Sequence, residues 1–203
     1  MNLRENLIKA LTLDLPYERM ERARLLWPKL SGKSHLSEAG VLILFGAKEN
    51  TNKFEILFTL RTDKVDVHKG QVSFPGGRRD PGDLSLTHVA LRETEEEVGI
   101  PASAIEVIGE LPPLNTVTGF RVTPVIGILN TPIETLVLKL HPIEIAEIFW
   151  ASLDDLRAPQ CHRKEKMTWK EQEFEVHVYQ IRQYRIWGAT AEILKNLLER
   201  LKQ

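Results

Sequence analysis

Cysteine is almost absent. Cys161 stands alone in 203 residues, so no internal disulfide can form, in agreement with a reducing compartment. An excess of either charge is also missing. The 27 Lys+Arg face 28 Asp+Glu, a formal net charge of -1, which excludes the global basic field that nonspecific nucleic-acid binding needs. Any charge-based function is local. Long hydrophobic runs are lacking too: MNLRENLIKALTLDLPYERMERARLLW is broken by charges every few residues and holds no stretch fit for a signal peptide or membrane span. The C-terminal LKQ is not a peroxisomal tripeptide. These absences predict a cytoplasmic protein with no nucleic-acid or membrane partner. Internal repeats, low-complexity tracts and domain linkers are absent as well. The six histidines show no metal-ligand spacing.

What is present suffices for a packed core, since 42% of the residues are hydrophobic. Residues 1–35 read as a helical lead-in, with Leu7, Leu11, Met20, Ala23 and Leu26 at helical spacing and Pro16 dividing two segments. Whether that lead-in covers a site, pairs with a second subunit in a homodimer or caps the core stays open. The runs 40–47 and 54–61, joined by the polar turn 48–53, predict a hairpin. Glycine and proline crowd 62–82, which reads as loop around a short strand at 71–74, and loops of that length inside a domain are usually functional. Further strands are expected at 120–129, 143–151 and 173–181, with Pro124 suggesting an edge or a bulge. A helix spans 188–203, its stripe of Ile193, Leu194, Leu197, Leu198 and Leu201 packing on something. Mixed strands and helices argue one layered α/β or α+β domain over 1–203.

The chemistry concentrates in RETEEEVGI. Between Asp83 and Ile100 the pattern is helical, with Asp83 or Ser85 able to cap the start and Gly99 placed to stop the helix in a left-handed conformation. At about 100° per residue, Glu93, Glu96 and Glu97 share one face and Glu95 points elsewhere. Like charges at this spacing repel, and acids in a last turn oppose the helix dipole by about 0.3–1 kcal/mol each. Arg92 offsets only part of that cost. Charges alone fit a solvated face. With Gly76-Gly77 and Asp83 upstream, the set instead describes a loop–helix–loop in which glycines let carbonyls approach a hard divalent cation, Mg²⁺ or Mn²⁺, while the helix supplies carboxylates.

The segment 76–100, GGRRDPGDLSLTHVALRETEEEVGI, resembles the signature of the Nudix hydrolases, G-x5-E-x7-R-E-U-x-E-E-x-G-U with U a bulky aliphatic. Gly77 takes the first glycine, Arg92-Glu93 the Arg-Glu pair, Glu96-Glu97 the Glu-Glu pair, and Gly99-Ile100 the close. Three departures show: Asp83 replaces Glu and is left without a secure role, eight residues rather than seven precede Arg92, and Thr94 occupies an aliphatic position. Upstream, LFTLRTDKVDVHKGQVSFPGG resembles the extra motif of the coenzyme A pyrophosphatase branch, L-L-T-x-R-[SA]-x3-R-x3-G-x3-F-P-G-G, with Leu57, Thr59, Arg61, Gly70, Phe74, Pro75, Gly76 and Gly77 in register. Phe58, Thr62 and Asp66 depart from it, and Asp66 stands where a second arginine is expected.

The resemblance implies a Nudix-type α/β/α sandwich with a mixed β-sheet and a catalytic loop–helix–loop. It also implies metal-dependent hydrolysis of coenzyme A and its derivatives to 3′,5′-ADP and 4′-phosphopantetheine. Cations held by Glu93, Glu96, Glu97 and the Gly77 carbonyl would neutralise the phosphates. Glu97 is expected as general base, and Arg92 as the residue that orients Glu93. Arg61, His68, Gly70, Gln71, Phe74 and Gly76 are expected near the substrate, although core packing is the better reading of Phe74 and Trp187 from their chemistry. The alternatives are a Nudix diphosphatase acting on ADP-ribose, NADH or a nucleoside triphosphate, and a binding module that has lost catalysis.

Overall fold

The run GVLILFGA contains no polar residue, which a strand can afford only if both of its faces are covered. In the computed structural model, which describes residues 2–15, 35–49, 51, 53–63, 70–169 and 172–202, that is its situation. β1 (Ser37–Ala47) sends Leu42 and Leu44 into one apolar cluster and Ile43 and Phe45 into another, all fully buried. On the first face lies α2 (Leu86–Val98), through Ala90 and Val98. On the second lie α1 (Leu3–Thr12), through Leu7, and α4 (Gly188–Arg200), through Leu194, Leu197 and Leu198. Each such buried leucine contributes about 1.5–3 kcal/mol, so the layering follows from the pattern. The expected α/β/α sandwich is the observed one.

β1 and β2 (Phe54–Arg61) form the predicted antiparallel hairpin, with Phe45 opposite Ile56. β3 (Val72–Ser73) and β8 (Ile145–Ser152) both pair with β2, while β4 (Gly76–Arg78) pairs with β1. β7 (Phe120–Leu129) runs parallel to β1, the one parallel pairing among the described residues of this mixed eight-stranded sheet, with β5 (Ile105–Glu110) and β6 (Leu114–Asn115) on its far side. After the short α3 (Leu153–Arg157), β9 (His162–Trp169), β10 (Gln172–Ile181) and β11 (Tyr184–Trp187) make a separate antiparallel sheet.

Three expectations change. Residues 76–78 are strand rather than loop, because Gly76, without a side chain, lets this segment run close against β1. Pro124 does not mark an edge, since β7 lies between β1 and β5. Its carbonyl accepts from the Leu111 amide (2.8 Å), so the side lacking an N–H faces the break between the β5 and β6 ladders, where the loss is cheapest. β5, β6, β9, β11 and α3 were not anticipated. β9 is too charged to show an apolar alternation. Of the N-terminal lead-in, residues 3–12 are helix, and Pro16, Met20, Ala23 and Leu26 lie outside the described residues.

α4 carries the expected apolar stripe, with Leu201 only partly buried, but it also buries Arg200 to 1% exposure. Its guanidinium donates to the carbonyls of Ala10, Leu13 and Leu15 and to Asn196. An end of α1 and the chain beyond it are thereby tied to the C-terminal helix. Among the described residues no helix is long and apolar enough to cross a membrane.

Candidate active site

α2 is bounded as its sequence demands. Ser85, not Asp83, caps the start, its Oγ accepting from the His88 amide (3.0 Å), and Gly99 ends it at φ 79°. Thr94 occupies the departing aliphatic position without penalty, since its buried hydroxyl donates to the Ala90 carbonyl one turn back (2.7 Å).

Asp83 has the role that the sequence left open. Its buried carboxylate receives Arg92 Nε (3.0 Å) and Nη2 (3.1 Å) and the Asp80 amide (2.8 Å). The Arg92 hydrogen bond, aided by that amide, holds the acid down to a pKa of about 2. Arg92 reaches Glu93 (3.0 Å) and Glu96 (3.1 Å) as well. The acidic turn is thus organised around one guanidinium, whose own pKa rises chiefly through Asp83.

The three glutamates part company here. Glu97 is buried, 3% exposed, and its Oε2 accepts from the Gly76 amide (3.1 Å). Burial, only partly opposed by that amide and by Arg61, raises its pKa to about 8. Glu93 is half-buried with its carboxylate against Gly77, where an added Cβ would stand 2.4 Å from the carboxyl carbon, and burial again raises its pKa. Glu96 instead stays mostly exposed on Arg92, and Glu95 is exposed as expected. Sharing a helix face does not bring all three together. Among the described residues, no three His, Cys, Asp or Glu side chains stand close enough to hold one ion as they are placed.

A fourth carboxylate, Glu144, completes the cluster from a different loop. Arg61 at the end of β2 reaches Glu97 Oε1 through Nη1 (3.3 Å) and Glu144 Oε2 through Nη2 (3.2 Å). Residues 139–145 are fastened to the helix end, with the Lys139 amide on the Val98 carbonyl (3.1 Å) and the His141 amide on that of Glu97 (2.8 Å). Thr62 binds the same loop through the Glu144 carbonyl (2.9 Å) and, by its hydroxyl, the Ile143 carbonyl. Sequence reading missed Glu144 because HPIEIAEIF carries no spacing signal that links it to α2.

Of the expected substrate residues, Arg61 lies in this cluster. The Gln71 carbonyl accepts from the Arg61 amide (3.0 Å), which places Gln71 beside it, and Gly70 precedes it with φ 60°. The Gly76 amide is taken up by Glu97, so it positions a carboxylate rather than offering a free donor. Phe74 is a correction: it is 2% exposed and stacks on Phe58 at 5.0 Å, inside the core. His68 and Asp66 lie outside the described residues.

Oxygen-only donors around a buried carboxylate that lacks sufficient positive charge fit a hard divalent cation, with Glu93, Glu97 and Gly77 nearest to the requirement. The NUDIX domain profile matches residues 35–172. A Citrobacter koseri protein named uncharacterized Nudix hydrolase NudL is 37% identical over 198 residues, covering 93% of this chain and 94% of its own. The Yersinia enterocolitica protein of the same name is 41% identical over 155 residues, covering 72% and 73%. Among solved structures, a MutT/nudix family protein from Enterococcus faecalis superposes with a TM-score of 0.54 at 17% identity, covering 100% of this chain and 74% of its own, a likeness of fold. The chain belongs to the Nudix hydrolase family.

Proposed function

We propose that this Nudix hydrolase cleaves the diphosphate of coenzyme A and its derivatives, giving 3′,5′-ADP and 4′-phosphopantetheine. The observation that carries the reading is the contact between Arg61 and Glu97 at 3.3 Å. Arg61 belongs to the upstream motif that resembles the coenzyme A branch, and Glu97 belongs to the Nudix box, so the contact supports reading the two motifs as parts of one site. We extend the same reading to the whole of 1–203 as one hydrolase domain in the cytoplasm.

Glu93 and Glu97, with the Gly77 carbonyl and with Glu96 once released from Arg92, would hold Mg²⁺ or Mn²⁺. Such a cation, when bound, neutralises charge on the phosphoryl oxygens and acidifies water. The chain's own residues do the rest. Arg92, fixed by Asp83, orients Glu93. The Gly76 amide holds Glu97 in place, so that its carboxylate would be positioned to take a proton from water beside the ion. Arg61 and the Gly70-Gln71 segment face the diphosphate and its nucleotide.

A second reading follows from Asp66, an acid where an arginine is expected near a polyanion. It would shift preference to ADP-ribose, NADH or a nucleoside triphosphate. Turnover of coenzyme A, acyl-coenzyme A, ADP-ribose, NADH and a nucleoside triphosphate with Mg²⁺ or Mn²⁺ decides between them. The branch assignment predicts the highest kcat/KM for coenzyme A or its acyl derivative. A higher value for any other substrate overturns it, and no turnover of any would favour a binding module.

A further inference from the structure

We propose that Arg61 is a stand-in cation, which neutralises Glu97 and Glu144 until a divalent ion takes its place and which then transfers to the phosphate of the substrate. This rests on the reading of Glu93 and Glu97 as ligands to that ion.

Arg61 is aimed by the backbone. The pairing of β2 with β8 shifts register between Leu60 and Arg61, with Leu60 opposite Glu147 and Arg61 opposite Ile145, an irregularity of the kind that redirects a side chain at a strand end. It delivers the guanidinium to where β2, the end of α2 and the 139–145 loop meet.

The grip there is loose. Arg61 makes one contact to each carboxylate, at 3.3 and 3.2 Å, longer than the roughly 2.7–2.9 Å of good charge-assisted hydrogen bonds. Arg92 offers the contrast, since it holds Asp83 with two parallel bonds. Arg92 is locked to Asp83 by that bidentate pair, whereas the two terminal nitrogens of Arg61 each meet a different carboxylate. Charge also argues for exchange. Glu93 and Glu144 both act unfavourably on Glu97, and Arg61 is divided between Glu97 and Glu144 while Glu93 is served by Arg92, so a dication would serve Glu97 better. An ion on Glu97 would repel a guanidinium at hydrogen-bond distance from the same oxygen. The backbone of Arg61 is fixed to that of Gln71, so a guanidinium released from Glu97 would swing from this anchor, and a phosphate accepts such a fork in bidentate fashion.

The test is direct titration of Mg²⁺ by calorimetry into the wild type and Arg61→Gln, above the value of about 8 to which Glu97 is raised, so that protonation interferes least. Loss of the competing charge predicts about tenfold tighter Mg²⁺ binding by the variant, together with a higher KM for the diphosphate substrate. Equal or weaker Mg²⁺ binding by the variant overturns the exchange and leaves the metal-site reading standing. A wild type that binds no divalent ion overturns both. Should the variant fail to fold, a crystal structure of the wild type with Mn²⁺ decides. Arg61 beyond hydrogen-bond reach of Glu97 supports the exchange, and an unbroken Arg61–Glu97 contact beside bound Mn²⁺ overturns it.

Discussion

Arg92 Nε and Nη2 meet the two oxygens of Asp83 at 3.0 and 3.1 Å, so that a residue nine positions earlier, across the start of α2, fixes the arginine that serves Glu93 and Glu96. Asp83 departs from the family pattern in type and in spacing. The pair shows how the departure is absorbed: the shorter acid, in the loop before the Ser85 cap, still meets both nitrogens of Arg92.

That pair has a pH signature. The pKa of Asp83 is depressed in the folded state to about 2 from an ordinary 3.8, so its stabilisation is complete above the unfolded value and is lost as pH falls through the folded one. Urea unfolding of wild type and Asp83→Asn at a series of pH values should give a steady difference above about pH 4 that shrinks toward about pH 2. A difference that does not change over this range would show that Asp83 is not ionised against Arg92.

Glu97 has the opposite sign. Its folded pKa is raised from 4.5 to about 8, so in a chelator the protein is most stable below the lower value and loses stability as pH rises through the upper. Glu97→Gln removes the charge and keeps an acceptor for the Gly76 amide. Its melting temperature relative to wild type should therefore climb across that window and level off above it. With Mg²⁺ present, diphosphate turnover should fall about 100-fold or more. Full retention of activity would remove Glu97 from the reaction.

Gly76 and Gly77 should fail differently. At Gly76, φ is 150° and a Cβ would stand 2.4 Å from the Gly40 carbonyl oxygen and 2.6 Å from the Val41 Cα, neither of which can yield. Gly76→Ala should cost about 2–3 kcal/mol in urea unfolding. At Gly77 the obstacle is the far end of Glu93, which can swing aside. Gly77→Ala should keep stability within about 1 kcal/mol while lowering activity more than about tenfold, because Glu93 is displaced. Equal losses of stability in the two variants would contradict this.

Arg200→Met tests the clasp between the chain ends. The substitution leaves the carbonyls of Ala10 and Leu13 without the donor they have now, while Leu15 keeps that of Asn196. A loss of about 3 kcal/mol is expected, with α1 becoming the first site of proteolytic nicking. Unchanged stability would mean that the lead-in is held by other contacts.

Several structural features could be read along the chain because they are local. The Ser85 and Gly99 boundaries of α2, the β1–β2 hairpin and the α4 stripe depend on residues a few positions apart, and the structure places them as the pattern requires. The split among Glu93, Glu96 and Glu97 could not be read this way. All three project from one face, but burial falls on the two that lie against Gly76-Gly77, while Arg92, fixed by Asp83, is shared between Glu93 and the exposed Glu96. Phe74 was placed near the substrate on motif alone, whereas its position against Phe58 depends on packing between β2 and the chain after β3.

The sequence by itself determined the helix that carries the acids, the glycines beside it and the kinship of the chain, because spacing, caps and charge repulsion act over one or two turns. Only the tertiary structure decided that Glu144 joins Glu97 through Arg61. Residues 61, 97 and 144 belong to a strand end, a helix end and a loop, and hydrogen bonds among those three elements bring them together. A charge pattern read along the chain records which carboxylates are neighbours in sequence, and burial decides which of them lack a counter-ion.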